Sequence, residues 1–408
     1  MRTGYPEDIV RGLRPGQRVY FQGGPGESEL FYNVLRENPG LANGVELWSC
    51  LIPGINTRDY GALPGNFTLT TFMASPALEG SIASGRTIVK AMPYSEIAET
   101  MAATEFDVAI LHTAPPDNQG RLSFGIACDM PGLVWPNARR RIALTNPHMP
   151  TPPEAEFIPQ DEIEFSVPVH HPLLAAAASP GRSTGVLAEI ARMAAALVPD
   201  GATIQSGIGE APAAVMAALR LHRGLKVHSG IITPEYRSLM ESGAIDAEAE
   251  NVTGVAWGDA TFYRWLPRSG FRFRSVRITH GAAGLARIER FVSVGSALEV
   301  DLEGNLNLEW RKGRRVSSVG GAPDYLRAAA GSPGGKSIIV LPATAGGASR
   351  IVPRLASPSI PGTLVDAVVT EHGVAHLTGL SPADRATALI AIAAPEHRAF
   401  LKRSRQGG

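Results

Sequence analysis

Cysteine is nearly missing from this chain: there are two in 408 residues, Cys50 and Cys128, far apart and outside any CxxC pair. That excludes a disulfide framework and a thiolate zinc cluster, and it fits a reducing compartment. An excess of one charge is also lacking, since Lys+Arg and Asp+Glu both number 38. No overall field draws such a protein to nucleic acid or to an anionic membrane. The short basic clusters Arg139-Arg140-Arg141 and Arg311-Lys312-Gly313-Arg314-Arg315 carry no interleaved aromatic platform, so they read as solvated turns or subunit contacts. Long apolar runs are missing too. The stretches at 173–178 and 389–394 fall short of the roughly 18 to 20 residues that span a bilayer, and Glu7-Asp8 stand where a signal peptide needs an apolar run. These absences predict a cytoplasmic protein with neither nucleic acid nor membrane as partner.

Hydrophobic residues at 44% and charged residues at 19% are the balance of a folded, globular chain. A length of 408 residues exceeds what one core usually organises, so two domains are expected. Short apolar runs ending in Gly-rich turns and followed by helical patterns recur throughout, which is the alternation of an α/β protein. Strands are predicted at 17–21, 45–52, 107–112, 141–145, 163–169, 202–205, 225–229, 276–279, 291–294, 297–302, 337–341 and 365–370, with a Pro-rich loop at 147–159. Helices are predicted at 28–38, 186–198, from Pro212 to about Leu221, and at 382–394, and Glu303-Gly304-Asn305 reads as a hairpin turn. The Ala-rich segment ending in Ser179-Pro180-Gly181-Arg182-Ser183 marks a seam, giving domains at 1–180 and 181–408.

Three strand–turn–helix junctions are rich in glycine: Gly23-Gly24-Pro25-Gly26, Ser206-Gly207-Ile208-Gly209 and Ser317-Ser318-Val319-Gly320-Gly321. Free backbone N–H groups and a helix dipole meet at such places and suit a phosphate or an oxyanion, although close packing explains a single glycine turn equally well. Common nucleotide motifs are not met. Gly207-Ile208-Gly209-Glu210-Ala211-Pro212 puts proline where a dinucleotide fingerprint needs its third glycine. Gly335-Lys336-Ser337 has Ala330 where a P-loop begins with glycine, and it leads into a strand. Glu371-His372-Gly373-Val374-Ala375-His376 has glycine in place of the zinc-protease glutamate and reads as a structural turn; no metal is expected. His170-His171 has no third ligand nearby, and no GxSxG elbow occurs.

Together the motifs resemble the acetyl-CoA hydrolase/transferase family, which includes 4-hydroxybutyrate and acetate CoA-transferases within the class I CoA-transferases. The resemblance runs over nearly the whole chain. Phe106-Asp107-Val108-Ala109-Ile110 leads into Ala114-Pro115-Pro116-Asp117-Asn118-Gln119-Gly120 and Leu122-Ser123-Phe124-Gly125. Further on come Gln205-Ser206-Gly207-Ile208-Gly209 with Pro212, Ser296-Ala297-Leu298-Glu299-Val300-Asp301-Leu302, Gly320-Gly321-Ala322-Pro323-Asp324-Tyr325, Ser349-Arg350-Ile351-Val352-Pro353 and Val369-Thr370-Glu371-His372-Gly373. The resemblance implies two open α/β domains with the active site in the cleft between them, acyl-CoA as substrate together with a small-molecule acceptor or water, and a homodimer. It assigns CoA contacts to Gln205, Ser206, Gly207, Ile208, Gly209 and Leu298, and oxyanion contacts to the backbone at Gly320 and Gly321.

In that family a glutamate attacks the thioester and carries CoA as a glutamyl-CoA intermediate. Its segment resembles "HTEM", and here the same place reads His228-Ser229-Gly230-Ile231, with the match continuing unbroken to Ile245. Gly230 stands where the nucleophile is expected, leaving its place vacant. Two residues are candidate substitutes for it, and a third is a candidate general base. Glu235 follows Thr233-Pro234 and reads equally as a first-turn acid of a helix. Ser229 is a hydroxyl on a strand with no evident base. His112, at the end of a predicted strand where α/β ligands collect, is the candidate general base, with an ordinary strand-end histidine as the alternative. Glu27 and Ser28 beside the first glycine turn are weighed against helix capping. The expectations are CoA release by hydrolysis or acyl transfer without a glutamyl-CoA intermediate, carboxylate CoA transfer through a residue such as Glu235, or a non-catalytic CoA-binding subunit.

Overall fold

The computed structural model describes residues 1–176 and 185–406. The seam expected near residue 180 lies outside the described residues. Two compact units are present, one formed by Met1–Ala178, Val252–Thr279 and Val316–Ser318, the other by Ser179–Asn251, His280–Arg315 and Val319–Gly408. A single cut at 180 therefore assigns to the second domain two segments whose contacts lie in the first.

The first unit is built on an eight-stranded sheet in the spatial order Arg2–Thr3, Phe165–Pro168, Ala138–Thr145, Phe106–Thr113, Arg18–Phe21, Glu46–Trp48, Thr68–Thr71 and Thr87–Val89. Every pairing in it is parallel. Parallel strands are covered on both faces, so their sequences run apolar without alternation. Phe106–Thr113 shows this, being buried at every position except Asp107. Helix Glu29–Glu37 turns Phe31, Val34 and Leu35 into the core with Val19, Phe21, Leu47 and Ile110. The segment Val252–Ala256 belongs to this unit, where the Cys128 amide donates to the Gly254 carbonyl at 3.0 Å and the Ala256 amide to the Ile126 carbonyl at 2.9 Å.

In the second unit Lys226–Ile232, Thr203–Ser206, Phe291–Gly295, Lys336–Val340 and Ala367–Thr370 lie side by side, all parallel. Gly373–His376 closes one edge as the antiparallel half of a hairpin. His372 sits in that hairpin's turn and His376 at the far end of its strand, so Glu371 to His376 form the structural turn that the sequence indicates. Glu303-Gly304-Asn305 is likewise a hairpin turn between Glu299–Asp301 and Leu306–Asn307, with Gly304 at φ 88 and Asp301 Oδ1 accepting from the amides of Glu303 and Asn305.

Some local expectations are corrected. Val276–Thr279 is one helical turn, not a strand. A run of four apolar-rich residues fits either state, and tertiary surroundings decide between them. Phe157–Pro159, expected as loop, pairs antiparallel with Arg121–Ser123. The helix expected from Pro212 starts two residues earlier, as Glu210–Ala218, because Pro212 is still within the first turn and needs no N–H partner there. The expected closing helix ends at Ile392, and a second helix, Pro395–Gln406, follows it.

The basic clusters are accounted for by local partners. Arg139 pairs with Glu105 at 3.4 Å, Arg140 with Glu164 at 2.8 Å and Arg141 with Glu162 at 2.7 Å. Arg311 to Arg315 make a hairpin whose turn residues Lys312 and Gly313 have φ 50 and 74. Among the described residues no helix is long and apolar enough to cross a membrane.

Candidate active site

Gly230 lies on strand Lys226–Ile232. Its φ is outside the left-handed region, so the backbone does not demand glycine. Space does. A Cβ on Gly230 would stand 2.6 Å from His280 Cε1, 3.1 Å from His280 Nε2 and 3.1 Å from the Tyr325 hydroxyl. The same ring reaches Gly321, where a Cβ would meet His280 Nε2 at 2.5 Å. The imidazole is thus slotted between two glycines. Tyr325 flanks it, ring centroids 4.5 Å apart, with its hydroxyl 3.5 Å from His280 Nδ1. The place beside Gly230, expected to be vacant, is filled along the direction a side chain would take.

His280 and Tyr325 are 4% and 3% exposed, while Gly230 and Gly321 are half-buried. Burial, aided by the nearby His228, holds the His280 pKa down to about 3, so the ring is neutral at physiological pH. His228 and Gly230 are two apart on the strand and share one face, and Ser229 between them points to the other.

The other candidates are placed as follows. Ser229 is fully buried and its hydroxyl donates to the Ile231 carbonyl at 2.7 Å, which occupies the proton that a nucleophile would have to shed. Glu235 sits in the first turn of helix Pro234–Glu241, and its carboxylate accepts from the Thr233 hydroxyl at 2.5 Å. His112 is 3% exposed, with Nδ1 3.1 Å from the Gly26 carbonyl and Nε2 3.1 Å from the Asn146 amide nitrogen. The Asn146 amide donates, so Nε2 accepts and Nδ1–H donates to Gly26. Both nitrogens are occupied, Nδ1 by the first glycine turn and Nε2 by Asn146, and burial pulls the pKa down to about 4. That environment suits a strand-end histidine and leaves no nitrogen for a general base.

Glu27 is 2% exposed and accepts from Asn56 Nδ2 at 2.6 Å, Tyr60 hydroxyl at 3.1 Å and Arg58 Nη1 at 3.3 Å. It is a paired buried carboxylate that ties the turn to the 52–60 loop, its pKa raised by burial against those partners. Ser28 occupies the N-cap position of Glu29–Glu37 without a side-chain capping bond.

The three glycine turns separate by access. Gly24, Pro25 and Gly26 are buried, and a Cβ on Gly26 would meet Gln22 Nε2 at 2.6 Å; close packing explains this turn. The turn at Gly207 to Gly209 is open. Ile208 is 46% exposed, Gly209 has φ 131 and precedes helix Glu210–Ala218, and Gly207 is pinned by its amide donating to the Val294 carbonyl at 2.8 Å. Below it Gln205 Oε1 accepts from the Ser293 hydroxyl at 2.7 Å, and the Ser206 hydroxyl donates to the Gly207 carbonyl at 3.0 Å. Gly320, with φ 55, and Gly321 lead into helix Ala322–Gly331. Leu298 is half-buried, its amide donating to Asn307 and its carbonyl accepting from Arg350 Nε at 2.9 Å. Among the described residues no group of three or more His, Cys, Asp or Glu could hold a metal ion.

Two α/β units on largely parallel sheets, the second with an antiparallel edge strand, are the architecture expected of a CoA-transferase. Residues 258–405 match the acetyl-CoA hydrolase/transferase C-terminal domain. The 4-hydroxybutyrate coenzyme A transferase of Clostridium kluyveri is 30% identical over 97% of this chain and 95% of its own. Among solved structures, RipA from Yersinia pestis superposes with a TM-score of 0.91 at 26% identity, covering 100% of this chain and 97% of that one. A 4-hydroxybutyrate CoA-transferase from Porphyromonas gingivalis does so with a TM-score of 0.81 at 27% identity and the same coverage. The chain belongs to the acetyl-CoA hydrolase/transferase family.

Proposed function

We propose that this protein is an acyl-CoA-processing enzyme that releases CoA from a thioester, by hydrolysis or by acyl transfer to an acceptor, without forming a glutamyl-CoA intermediate. The observation that carries this reading is Gly230: the position matched to the family nucleophile has no side chain, and the space a side chain would take holds the His280 ring. Glu235 is a poor substitute, because its carboxylate is bound by the adjoining Thr233 hydroxyl at the start of a helix. Carboxylate CoA transfer through Glu235 and CoA binding without turnover are the competing outcomes.

The remaining family functions do not need the glutamate. The open turn at Gln205, Ser206, Gly207, Ile208 and Gly209, with Leu298, is the proposed CoA contact. The backbone at Gly320 and Gly321 is the proposed oxyanion site, one such donor contributing roughly 2.7 to 4 kcal/mol to the transition state. The enzyme is proposed to act as a cytoplasmic homodimer, with no metal, nucleic acid or membrane involved.

The test is to incubate the purified protein with acetyl-, propionyl-, butyryl- and succinyl-CoA, with and without carboxylate, amine and carbon acceptors, and to follow free thiol, products and the mass of the protein. Thiol release with no CoA adduct on any glutamate supports the proposal. An adduct on the peptide containing Glu235 replaces it with CoA transfer, and binding without thiol release across the set replaces it with a CoA-binding role.

A further inference from the structure

We infer that the basic hairpin of Trp310–Arg311 and Arg314–Arg315, with Arg350 beside it, is a phosphate-binding arm that takes the phosphate groups of CoA. This rests on the proposed acyl-CoA reading and names the part of the chain that recognises the nucleotide end of the substrate. Every residue in the arm belongs to the second unit.

Charge sets this hairpin apart. Both basic clusters fold through local pairing, but only the first is neutralised by it, since Arg139, Arg140 and Arg141 each meet a glutamate at 3.4, 2.8 and 2.7 Å. In the second, positions 311 to 315 are all exposed. Arg315 pairs with Glu309 at 3.4 Å and lies over the Trp310 ring, 4.9 Å from its centroid. Among the described residues Arg311 and Lys312 have no carboxylate at ion-pair distance. Lys312 occupies the tip with φ 50, followed by Gly313 at 74. Glycine and asparagine take that left-handed conformation more readily than lysine, so the tightest turn of the hairpin is given to a cation.

Arg350 adds a second guanidinium, and this one is fixed. It is half-buried, its Nε donates to the Leu298 carbonyl at 2.9 Å and its Nη2 to the Ala297 carbonyl. Its pKa is lowered by burial and then by the charge of Arg311, against Glu299 and Glu371. Those two carboxylates are engaged elsewhere, Glu299 accepting from Asn307 Nδ2 at 2.7 Å and Glu371 from the Ala343 amide at 2.8 Å. Two guanidiniums within each other's field repel until an anion neutralises them, and the planar fork of arginine fits phosphate oxygens in pairs.

Asn307 joins the hairpin to the proposed CoA contact. Its carbonyl accepts from the Leu298 amide at 2.8 Å, its Oδ1 from the amides of Glu309 and Trp310 at 3.1 and 2.9 Å, and its Nδ2 donates to the Trp310 carbonyl at 2.7 Å. Leu298 in turn lies four residues beyond Val294, whose carbonyl accepts from the Gly207 amide at 2.8 Å. Four residues span at most about 14 Å, so the open turn and the root of the hairpin lie within reach of one extended ligand.

The experiment measures Kd by calorimetry for CoA, dephospho-CoA and pantetheine, in the wild type and two variants, at about 50 and about 300 mM salt. Arg311→Thr/Lys312→Asn removes both charges and leaves Asn before Gly313, the pair that such turns favour, so the hairpin is kept. Arg311→Glu/Lys312→Asp reverses the charges. Exposed cations act through a screened field, so the neutral variant should bind CoA about 3- to 30-fold more weakly, while pantetheine, which has no phosphate, changes by less than about twofold. The reversed variant should bind CoA more weakly still, and the affinity of the wild type should fall more steeply with salt than that of the neutral variant. A loss that vanishes with dephospho-CoA assigns the arm to the 3′-phosphate, and a loss that remains assigns it to the diphosphate; either supports the inference. If both variants bind CoA as the wild type does, the inference fails while the proposed function stands, and a changed mass in sedimentation then makes the hairpin a subunit contact. If CoA and pantetheine weaken equally, the hairpin is structural and the inference also fails. A wild type that binds none of the three removes the inference together with the proposed function.

Discussion

Replacing Gly230 provides the sharpest test of how this site is built. Glycine within a strand ordinarily weakens it, so alanine there is expected to stabilise by roughly 0.5 to 1 kcal/mol. The structure reverses the sign. The new methyl would lie 2.6 Å from His280 Cε1 and 3.1 Å from the Tyr325 hydroxyl, and both side chains are buried, so the ring must move against a packed surround. Overpacking of this kind costs about 1 to 3 kcal/mol, enough to outweigh the propensity gain. For a domain of this size each kcal/mol lowers Tm by roughly 2 to 4 °C. Removing the ring with His280→Gly should make room, so Gly230→Ala in that background costs less than in the wild type, giving a coupling of about 1 to 3 kcal/mol in a double-mutant cycle read by denaturant and thermal unfolding.

The same logic governs Gly230→Glu: alone it forms no CoA adduct, and combined with His280→Gly the restored carboxylate has space to be acylated, which intact-protein mass after acyl-CoA incubation detects. If Gly230→Ala is as stable as the wild type in both backgrounds, with coupling near zero, the imidazole does not fill the place assigned to it.

Other outcomes follow from the same structure. Glu27→Ala leaves Asn56, Arg58 and Tyr60 without their buried carboxylate and should cost about 3 to 5 kcal/mol in denaturant unfolding; Glu27→Gln, which keeps the shape, should cost less. His112 has its pKa lowered from 6.5 to about 4, so the unfolded chain binds the proton first. Its contribution to stability is fully present above pH 6.5 and is lost as pH falls toward 4, by on the order of 3 kcal/mol. Unfolding of His112→Gln measured across that window should therefore have a flatter pH dependence than the wild type. Asp129, raised from 3.8 to about 6 by burial, works in the opposite sense: its contribution is present below 3.8 and is lost as pH rises through 6, so Asp129→Asn should gain relative stability toward neutral pH. Gly209→Ala, at φ 131, should cost about 1 to 3 kcal/mol through backbone strain. Gly207→Ala, whose Cβ would have its nearest contacts at 3.7 Å, should stay close to the wild type in the same melt.

Much of the architecture was legible because parallel strands buried on both faces write themselves as unbroken apolar runs. Phe106–Thr113, Phe291–Gly295 and Lys336–Val340 are of this kind. Thr68–Thr71, Thr87–Val89 and Val252–Ala256 were not found, since short Thr- or Gly-containing segments look like loops until their neighbours are known. The site divides in the same way. That Gly230 stands where a glutamate is expected could be read from a continuous motif match, because motif positions are linear. That His280 fills the place could not, since Thr279-His280-Gly281 carries no motif and the contact joins segments far apart in the chain. Gly321 paired with Gly230 offers the only trace of it, two glycines without a left-handed φ that make sense only around a third residue. His112 misled for a related reason: the end of a strand can be read from sequence, whereas the two bonds that occupy its ring come from Gly26 and Asn146, which only folding brings near.

The interrupted first unit has a consequence for biosynthesis. When the ribosome has added residue 178, the nascent chain still lacks Val252–Thr279, so the amide of Cys128 and the carbonyl of Ile126 wait for partners on Gly254 and Ala256. At translation rates of roughly 5 to 20 residues per second, that wait lasts on the order of 5 to 20 s. Through that interval apolar surface remains open to chaperones and proteases, and a nascent chain arrested near residue 180 should be cleaved far more readily than one released past 279.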